Sequence, residues 1–324
     1  MEQIMCDLGY RNIGFPCLVW SNKILGFVIT LLSMIKVCFK LRSGDILIIQ
    51  YPLKKYYTLL CNIVHYRGAK VITLIHDLGS FRRKRLTVLQ EIDRLQNSDY
   101  LITLNDSMSA WLQTKGCEVP KGELKIWDYL SPAIVLNKIE PATDYTVVYA
   151  GALGYNKNRF LYELDRLPRQ WHLSVYGKGL EADKILNKEY FSYNGFLPAD
   201  QLISSVQVWD GDSYEACTGN YGEYLRYNNP HKVSLYVRCH LPLIIWEKAA
   251  LAPFIKEKEI GICINSLEEL DGKLEKLTVD DYFKMKSRVI EISNLLSVGY
   301  FFTKALDEAV KFLTKSDVAD EGRN

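Results

Sequence analysis

Apolar residues in this chain come in short, nearly continuous runs separated by stretches of helical spacing. Asp45–Tyr51 (DILIIQY), Lys70–His76 (KVITLIH) and Tyr100–Leu104 (YLITL) read as strands. An apolar run without alternation is what a parallel strand covered on both faces requires. Helical segments such as Leu86–Gln96 intervene. Strand and helix in alternation predict a parallel sheet. The most apolar stretch is Ile24–Phe39, ILGFVITLLSMIKVCF. It falls short of the ~20 residues needed to span a bilayer, and Lys36 interrupts it. It starts too far into the chain, and lacks the small-residue cleavage site, for a secretory signal. It predicts a helix buried under the sheet. Lys23, Lys36, Lys40 and Arg42 flank it, a pattern that also suits peripheral contact with anionic lipid at the inner face of a membrane.

The pattern breaks between Ser131-Pro132 and Pro141-Ala142-Thr143-Asp144, where periodicity is lost, and then restarts. Thr146–Ala150 runs into Gly151, Trp171–Tyr176 into Gly177, Val206–Trp209 into Asp210, and Leu241–Trp246 into Glu247; Gly261–Ile264 is the last short strand. Asp280–Phe312 reads as helix, broken near Ser297-Val298-Gly299, and the tail SDVADEGRN reads as polar and frayed. The expected division is 1–140, 141–296 and a C-terminal helix 297–324. Two successive α/β units predict two Rossmann-like domains facing a cleft. Ligands of such sheets bind beyond the carboxyl ends of the strands, which directs attention to His76-Asp77, Gly151, Gly177, Asp210 and Trp246-Glu247.

Composition narrows the function classes. The chain has 324 residues, 48% hydrophobic and 24% charged, as in an ordinary globular protein. With 40 basic and 38 acidic residues its net charge is +2, so there is no global attraction to nucleic acid. Eight cysteines are scattered without a C-x-x-C pair, which predicts reduced thiols in a cytoplasmic protein rather than a zinc site. Neither a P-loop nor G-x-S-x-G occurs, so P-loop NTPase and α/β-hydrolase chemistry fall away.

The candidate chemistry lies in a few loops. Gly151-Ala152-Leu153-Gly154 closes a strand, and glycine lets backbone N–H groups approach a phosphate or sugar; without G-x-G-x-x-G the turn is equally compatible with a structural role. Asn220–Lys232 (NYGEYLRYNNPHK) is the most unusual run. Asn229-Pro230 suits a helix start, which sets Lys232 near a helix N-terminus, where its cation and free N–H groups can hold a diphosphate. Asp210-Gly211-Asp212 has the letters of a metal-binding D-x-D pair, a pattern too common to decide anything. At His76-Asp77 either side chain could serve as a general base; the alternative is that Asp77 caps the next helix.

From about Glu2 to about Leu306 the chain resembles the bacterial β-1,6-galactofuranosyltransferases. It is also similar to the glucosyltransferases that extend GlcNAc on serine-rich adhesins. The most specific part is Trp209–Ile255, WDGDSYEACTGNYGEYLRYNNPHKVSLYVRCHLPLIIWEKAALAPFI; TLIHD and IWDYL add to it. The resemblance implies a GT-B glycosyltransferase with an acceptor-binding first domain and a donor-nucleotide-binding second one. It implies a hexosyl group, galactofuranose by preference, moved from a UDP-sugar to a glycan or lipid-linked glycan in cell-surface polysaccharide synthesis, without a metal cofactor. Asn156 and Arg159 match the donor loop, Phe196 an aromatic position near the nucleobase, and Lys232 the diphosphate lysine; Gly151 and Asn229 complete the donor set. Asp77 is the expected base, with His76 its alternative. Asp210 and Asp212 would orient sugar hydroxyls or loop backbone. Relatives begin with a strand and a glycine-containing loop ahead of a segment like MCDLGYRNIG, so the first strand of the N-terminal domain is expected to be missing here. A catalytically silent nucleotide-binding homologue, or a partner subunit of another glycosyltransferase, is the competing reading. Self-association as a homo-oligomer is left open.

Overall fold

The computed structural model describes residues 1–13, 23–53, 56–82, 86–130, 146–196, 205–209 and 211–321. The chain divides into two compact units, Met1–Leu124 with Phe302–Asn324, and Lys125–Phe301. The polar segment 131–145, where the sequence changes grammar, lies outside the described residues.

In the first unit the order is α1 (Glu2–Asp7), α2 (Lys23–Lys40), β1 (Ile46–Tyr51), α3 (Tyr57–Tyr66), β2 (Lys70–Ile75), α4 (Gly79–Arg82), α5 (Val88–Leu95), β3 (Tyr100–Thr103), α6 (Asp106–Thr114) and β4 (Lys121–Glu123). The strands form one parallel sheet in the order β1-β2-β3-β4. Val71, Ile72, Leu74, Ile75, Leu101 and Ile102 are completely buried, as their unbroken apolar runs require. The three longer strands fall where the pattern places them. β4 (KGE) was not legible, because a three-residue edge strand carries no apolar run. Helix starts follow local chemistry. Thr87 and Gln90 form a reciprocal capping box at α5, and Asn105 accepts from the Met108 N–H at 2.9 Å to open α6. Buried hydroxyls tie α3 to the sheet: Tyr57 Oη lies 2.7 Å from Thr73 Oγ1 and 2.5 Å from Ser98 Oγ. In the same layer, burial pushes the Cys61 thiol up to about 12.

The Ile24–Phe39 expectation needs correction. The segment is helical, but it is not enclosed. Met34 and Val37 are buried, whereas Val28, Leu31, Leu32, Ile35 and Phe39 are exposed. The helix has apolar residues on more than one face, and its neighbours, α3 among them, cover only the Met34–Val37 side.

The second unit runs β5 (Thr146–Ala152), α7 (Phe160–Glu163), β6 (His172–Lys178), β7 (Phe191–Tyr193), β8 (Ser205–Val208), α8 (Gly219–Tyr224), α9 (His231–Arg238), β9 (Leu243–Trp246), α10 (Ala252–Lys258), β10 (Gly261–Ile264), α11 (Leu270–Glu275) and α12 (Val279–Ser297). Six parallel strands lie in the order β10-β9-β8-β5-β6-β7. Read from β7, the succession is 3-2-1-4-5-6, the doubly wound order. α9 is held at its C-terminal end by Arg238, which donates to the Ser293 carbonyl (3.0 Å) and hydroxyl (2.8 Å) of α12.

The last helix, α13 (Tyr300–Glu321), belongs from Phe302 onward to the first unit. The break at Ser297-Val298-Gly299 separates it from α12, and Gly299 has φ +74°. Phe302, Ala305, Leu306, Ala309 and Leu313 are buried; the Phe312 ring lies 5.4 Å from that of Tyr100, and Lys70 Nζ donates to the Leu313 carbonyl at 3.0 Å. The expected fraying from Ser316 is corrected: the backbone stays helical through Glu321, and neither proline nor glycine occurs between Tyr300 and Glu321 to break it.

β5 and β6 stay in register to their last residues, with Gly151 opposite Gly177 and Ala152 opposite Lys178. Gly177 has φ +146°, and a Cβ there would collide with the Gly151 carbonyl. Gly177→Ala should therefore lower stability by about 2–3 kcal/mol. Urea denaturation followed by circular dichroism would measure the loss.

Candidate active site

The second sheet reverses its winding at β5, which has β6 on one side and β8 on the other. The β5–β8 ladder stops at Val148↔Val206. Beyond it, α9 supplies the missing partner. Tyr236 Oη donates to the Ala150 carbonyl at 2.6 Å and accepts from the Ala150 N–H at 3.1 Å. One hydroxyl thus satisfies the backbone where the strands part, at the carboxyl ends of β5 and β8, which is where ligands of doubly wound sheets bind.

Lys232, in the first turn of α9, reaches this point. Its Nζ donates to the Trp209 carbonyl just after β8 (3.1 Å), lies 3.5 Å from Tyr149 Oη, and sits 4.7 Å from the centre of the Tyr149 ring. Tyr149 is fully buried and donates onward to Asn158 Oδ1 at 3.0 Å. Asn158, also fully buried, donates from Nδ2 to the Ala152 carbonyl at 2.5 Å. The chain from Lys232 through Tyr149 and Asn158 to Ala152 fixes an ammonium group beside the loop that follows β5. The Phe160 N–H donates to the Gly211 carbonyl at 3.2 Å, joining that loop to the one after β8. α9 begins at Pro230, and the adjoining turn is pinned: Trp127 Nε1 donates to the Asn229 carbonyl (2.9 Å), and Asn229 Nδ2 donates to the Lys125 carbonyl (3.0 Å). What results is a cation, a helix N-terminus and the exposed Gly151 end of β5 gathered at the carboxyl end of the sheet, a combination suited to an anion.

The candidates take different places. Gly151, next to last in β5, and Asn156, on the turn after β5, are exposed. Arg159 is half exposed and pairs with Glu163 at 3.0 Å, its guanidinium 5.7 Å from the Tyr155 ring centre. Tyr155 is held in turn by Glu181, whose Oε1 accepts from the Tyr155 N–H at 2.9 Å. Phe196 is 63% exposed, with Lys178 Nζ 4.8 Å from its ring centre. Asn229 is 1% exposed, so its amide serves the turn ahead of α9 and offers a ligand almost no surface. Asp212 is exposed, and its N–H donates to the Thr218 carbonyl at 3.2 Å; Asp210 lies outside the described residues. Tyr149, Asn158 and Tyr236 were missed. The signal for Tyr149 was there, as the one aromatic residue in the strand TVVYA.

In the first unit, His76 and Asp77 follow β2 and are partly exposed. The His76 N–H donates to the Tyr51 carbonyl at 2.9 Å, extending the β1–β2 ladder. The turn beyond them is organised by a residue the sequence did not single out. Glu91, fully buried on α5, accepts from the Gly79 N–H (2.7 Å), the Ser80 N–H (2.9 Å), the Ser80 hydroxyl (2.5 Å) and Tyr51 Oη (2.8 Å). Four donors on one carboxylate offset its desolvation. Burial and the neighbouring carboxylate push the Tyr51 hydroxyl far above its ordinary range, so it remains a donor.

The family model for the N-terminal domain of glucosyltransferase 3-like proteins matches residues 1–126, and that for the C-terminal domain matches residues 147–309. The chain belongs to the glucosyltransferase 3-like family of glycosyltransferases. It is 28% identical over 306 residues to the β-1,6-galactofuranosyltransferase WbbI of Escherichia coli K12, covering 93% of this chain and 90% of that protein. It is 27% identical over 283 residues to glucosyltransferase 3 of Streptococcus gordonii, covering 82% and 79%. Two solved structures share the fold. The Anabaena protein HepE, solved in complex with UDP, gives a TM-score of 0.58 at 12% identity, covering 89% of this chain and 84% of that one. The lipopolysaccharide outer core galactosyltransferase WaaB gives 0.56 at 12% identity, covering 89% and 83%. The fold is GT-B, as the resemblance implied. For this family member the two supporting networks make separate predictions. Tyr149→Phe should cost about 1–3 kcal/mol, because it strips partners from a buried amide and from Lys232; thermal unfolding would register it. Glu91→Gln replaces an acceptor of four hydrogen bonds with a group that must also donate. It should cost about 2–4 kcal/mol and speed hydrogen exchange at Gly79 and Ser80, as read by mass spectrometry.

Proposed function

We propose that this glycosyltransferase moves a hexosyl group, galactofuranose by preference, from a UDP-sugar to a glycan or lipid-linked glycan acceptor in cell-surface polysaccharide synthesis. The observation that carries the donor half is Lys232, set by Tyr149 and the Trp209 carbonyl at the carboxyl ends of β5 and β8. The name of the E. coli relative supports the sugar, and the UDP bound by HepE supports the nucleotide.

In this reading Lys232 and Arg159 neutralise the diphosphate as the bond between the anomeric carbon and the phosphate oxygen breaks. Preorganised positive charge is most valuable where negative charge develops. Backbone N–H groups near Gly151 and at the start of α9 add to it. Asn156 lines the donor loop, Phe196 packs against the base, and Asn229 acts by holding the turn before α9. The acceptor oxygen bonds to the anomeric carbon and its proton passes to Asp77, with His76 the alternative base. No metal is required, because the lysine, the arginine and the helix terminus carry the charge.

Thermal unfolding in the presence of UDP, ADP, GDP and dTDP, each with and without EDTA, tests this. A ligand at a hundred times its dissociation constant stabilises the native state by about 2.7 kcal/mol. The expected result is a UDP-selective rise that survives EDTA. Lys232→Ala should weaken UDP by roughly 10–100-fold, the loss of a charge-assisted contact. Unchanged UDP affinity in that variant would overturn the assignment, and loss of the shift in EDTA would favour a metal-dependent transferase.

A further inference from the structure

Among the described side chains of α2, the exposed apolar ones form a single stripe. Val28, Leu31, Leu32, Ile35 and Phe39 follow the spacing of one helix face, about 17 Å long at 1.5 Å per residue. Phe39 is 83% exposed, and beside it on α3 stands Tyr66, 90% exposed. Between the two helices lies an apolar groove of about 380 Å³, lined by Cys38, Phe39, Asn62, Ile63, Tyr66 and Arg67. A contiguous apolar surface of this kind needs a partner.

The charge around it indicates which. Lys40, Arg42 and Arg67 are exposed at the end of this face. From Leu8 to His76 the chain carries nine lysines and arginines and a single acid, Asp45, although the whole protein has a net charge of only +2. Neither α2 nor α3 contains a carboxylate. We propose that the α2–α3 face docks on an anionic phospholipid bilayer, with α2 lying in the plane of the interface. Apolar side chains enter the acyl boundary while the cations meet the headgroups. A second copy of the chain fits less well, since a two-fold contact sets each basic rim against its own image. Crossing the bilayer is not the mode: among the described residues no helix is long and apolar enough to span it.

Flotation of the full chain with vesicles tests the assignment. The protein should float with vesicles containing phosphatidylglycerol and stay at the bottom with pure phosphatidylcholine. Leu32→Ser/Ile35→Ser/Phe39→Ser should cut the floated fraction roughly tenfold or more through lost apolar insertion. Lys40→Glu, at an exposed site, should reduce it at least about fivefold and leave the thermal midpoint unchanged. Absence of flotation with anionic vesicles would overturn the proposal, as would flotation indifferent to both variants. A dimer in light scattering that the triple variant renders monomeric, without flotation, would assign the face to a second copy instead.

Discussion

Where a parallel sheet reverses its winding, the segments leaving two adjacent strands diverge, and the backbone between them loses its ladder. In the second unit this constraint falls on Ala150, and Tyr236 resolves it with a single hydroxyl. Much else follows. α9 must lie close enough to deliver Tyr236, which brings its first turn to the end of β8 and sets Lys232 against Tyr149 and Trp209. Arg238 anchors the far end of α9 to α12, and Asn229 pins the near end to the 125–127 turn. The ammonium group is thus placed by a rigid element held at both ends, as a preorganised site demands.

Both units use hydrogen-bonded charged groups to hold loops at strand ends, with opposite charge. In the second, a lysine is shared between a carbonyl and a phenol. In the first, the Glu91 carboxylate gathers four donors around the turn after β2. A carboxylate with that many partners is costly to rearrange. The turn that carries His76 and Asp77 therefore runs into a rigid support.

Legibility in the sequence follows the physics of each element. Strands buried on both faces announce themselves, and Lys70–Ile75 and Leu243–Trp246 fall within the apolar runs that predict them. Lys121–Glu123 and Phe191–Tyr193 do not, being three residues long at a sheet edge. Lys232 was legible because Asn229-Pro230 marks a helix start. Asn158 and Glu91 were not: each looks like an ordinary surface residue until the strand or turn it supports is in place. α2 shows the limit of hydropathy, which reports how apolar a segment is and not how many of its faces the fold will cover.

The first unit is discontinuous, because the buried side chains of α13 that complete it follow the whole second unit in the chain. The second unit is encoded without interruption. During synthesis the order of completion is therefore inverted. The part translated first waits, with its share of the core open, until the last helix leaves the ribosome, while the part translated second can close on its own. The amino-terminal sheet therefore lacks the cover of α13 for as long as the whole second unit is being made.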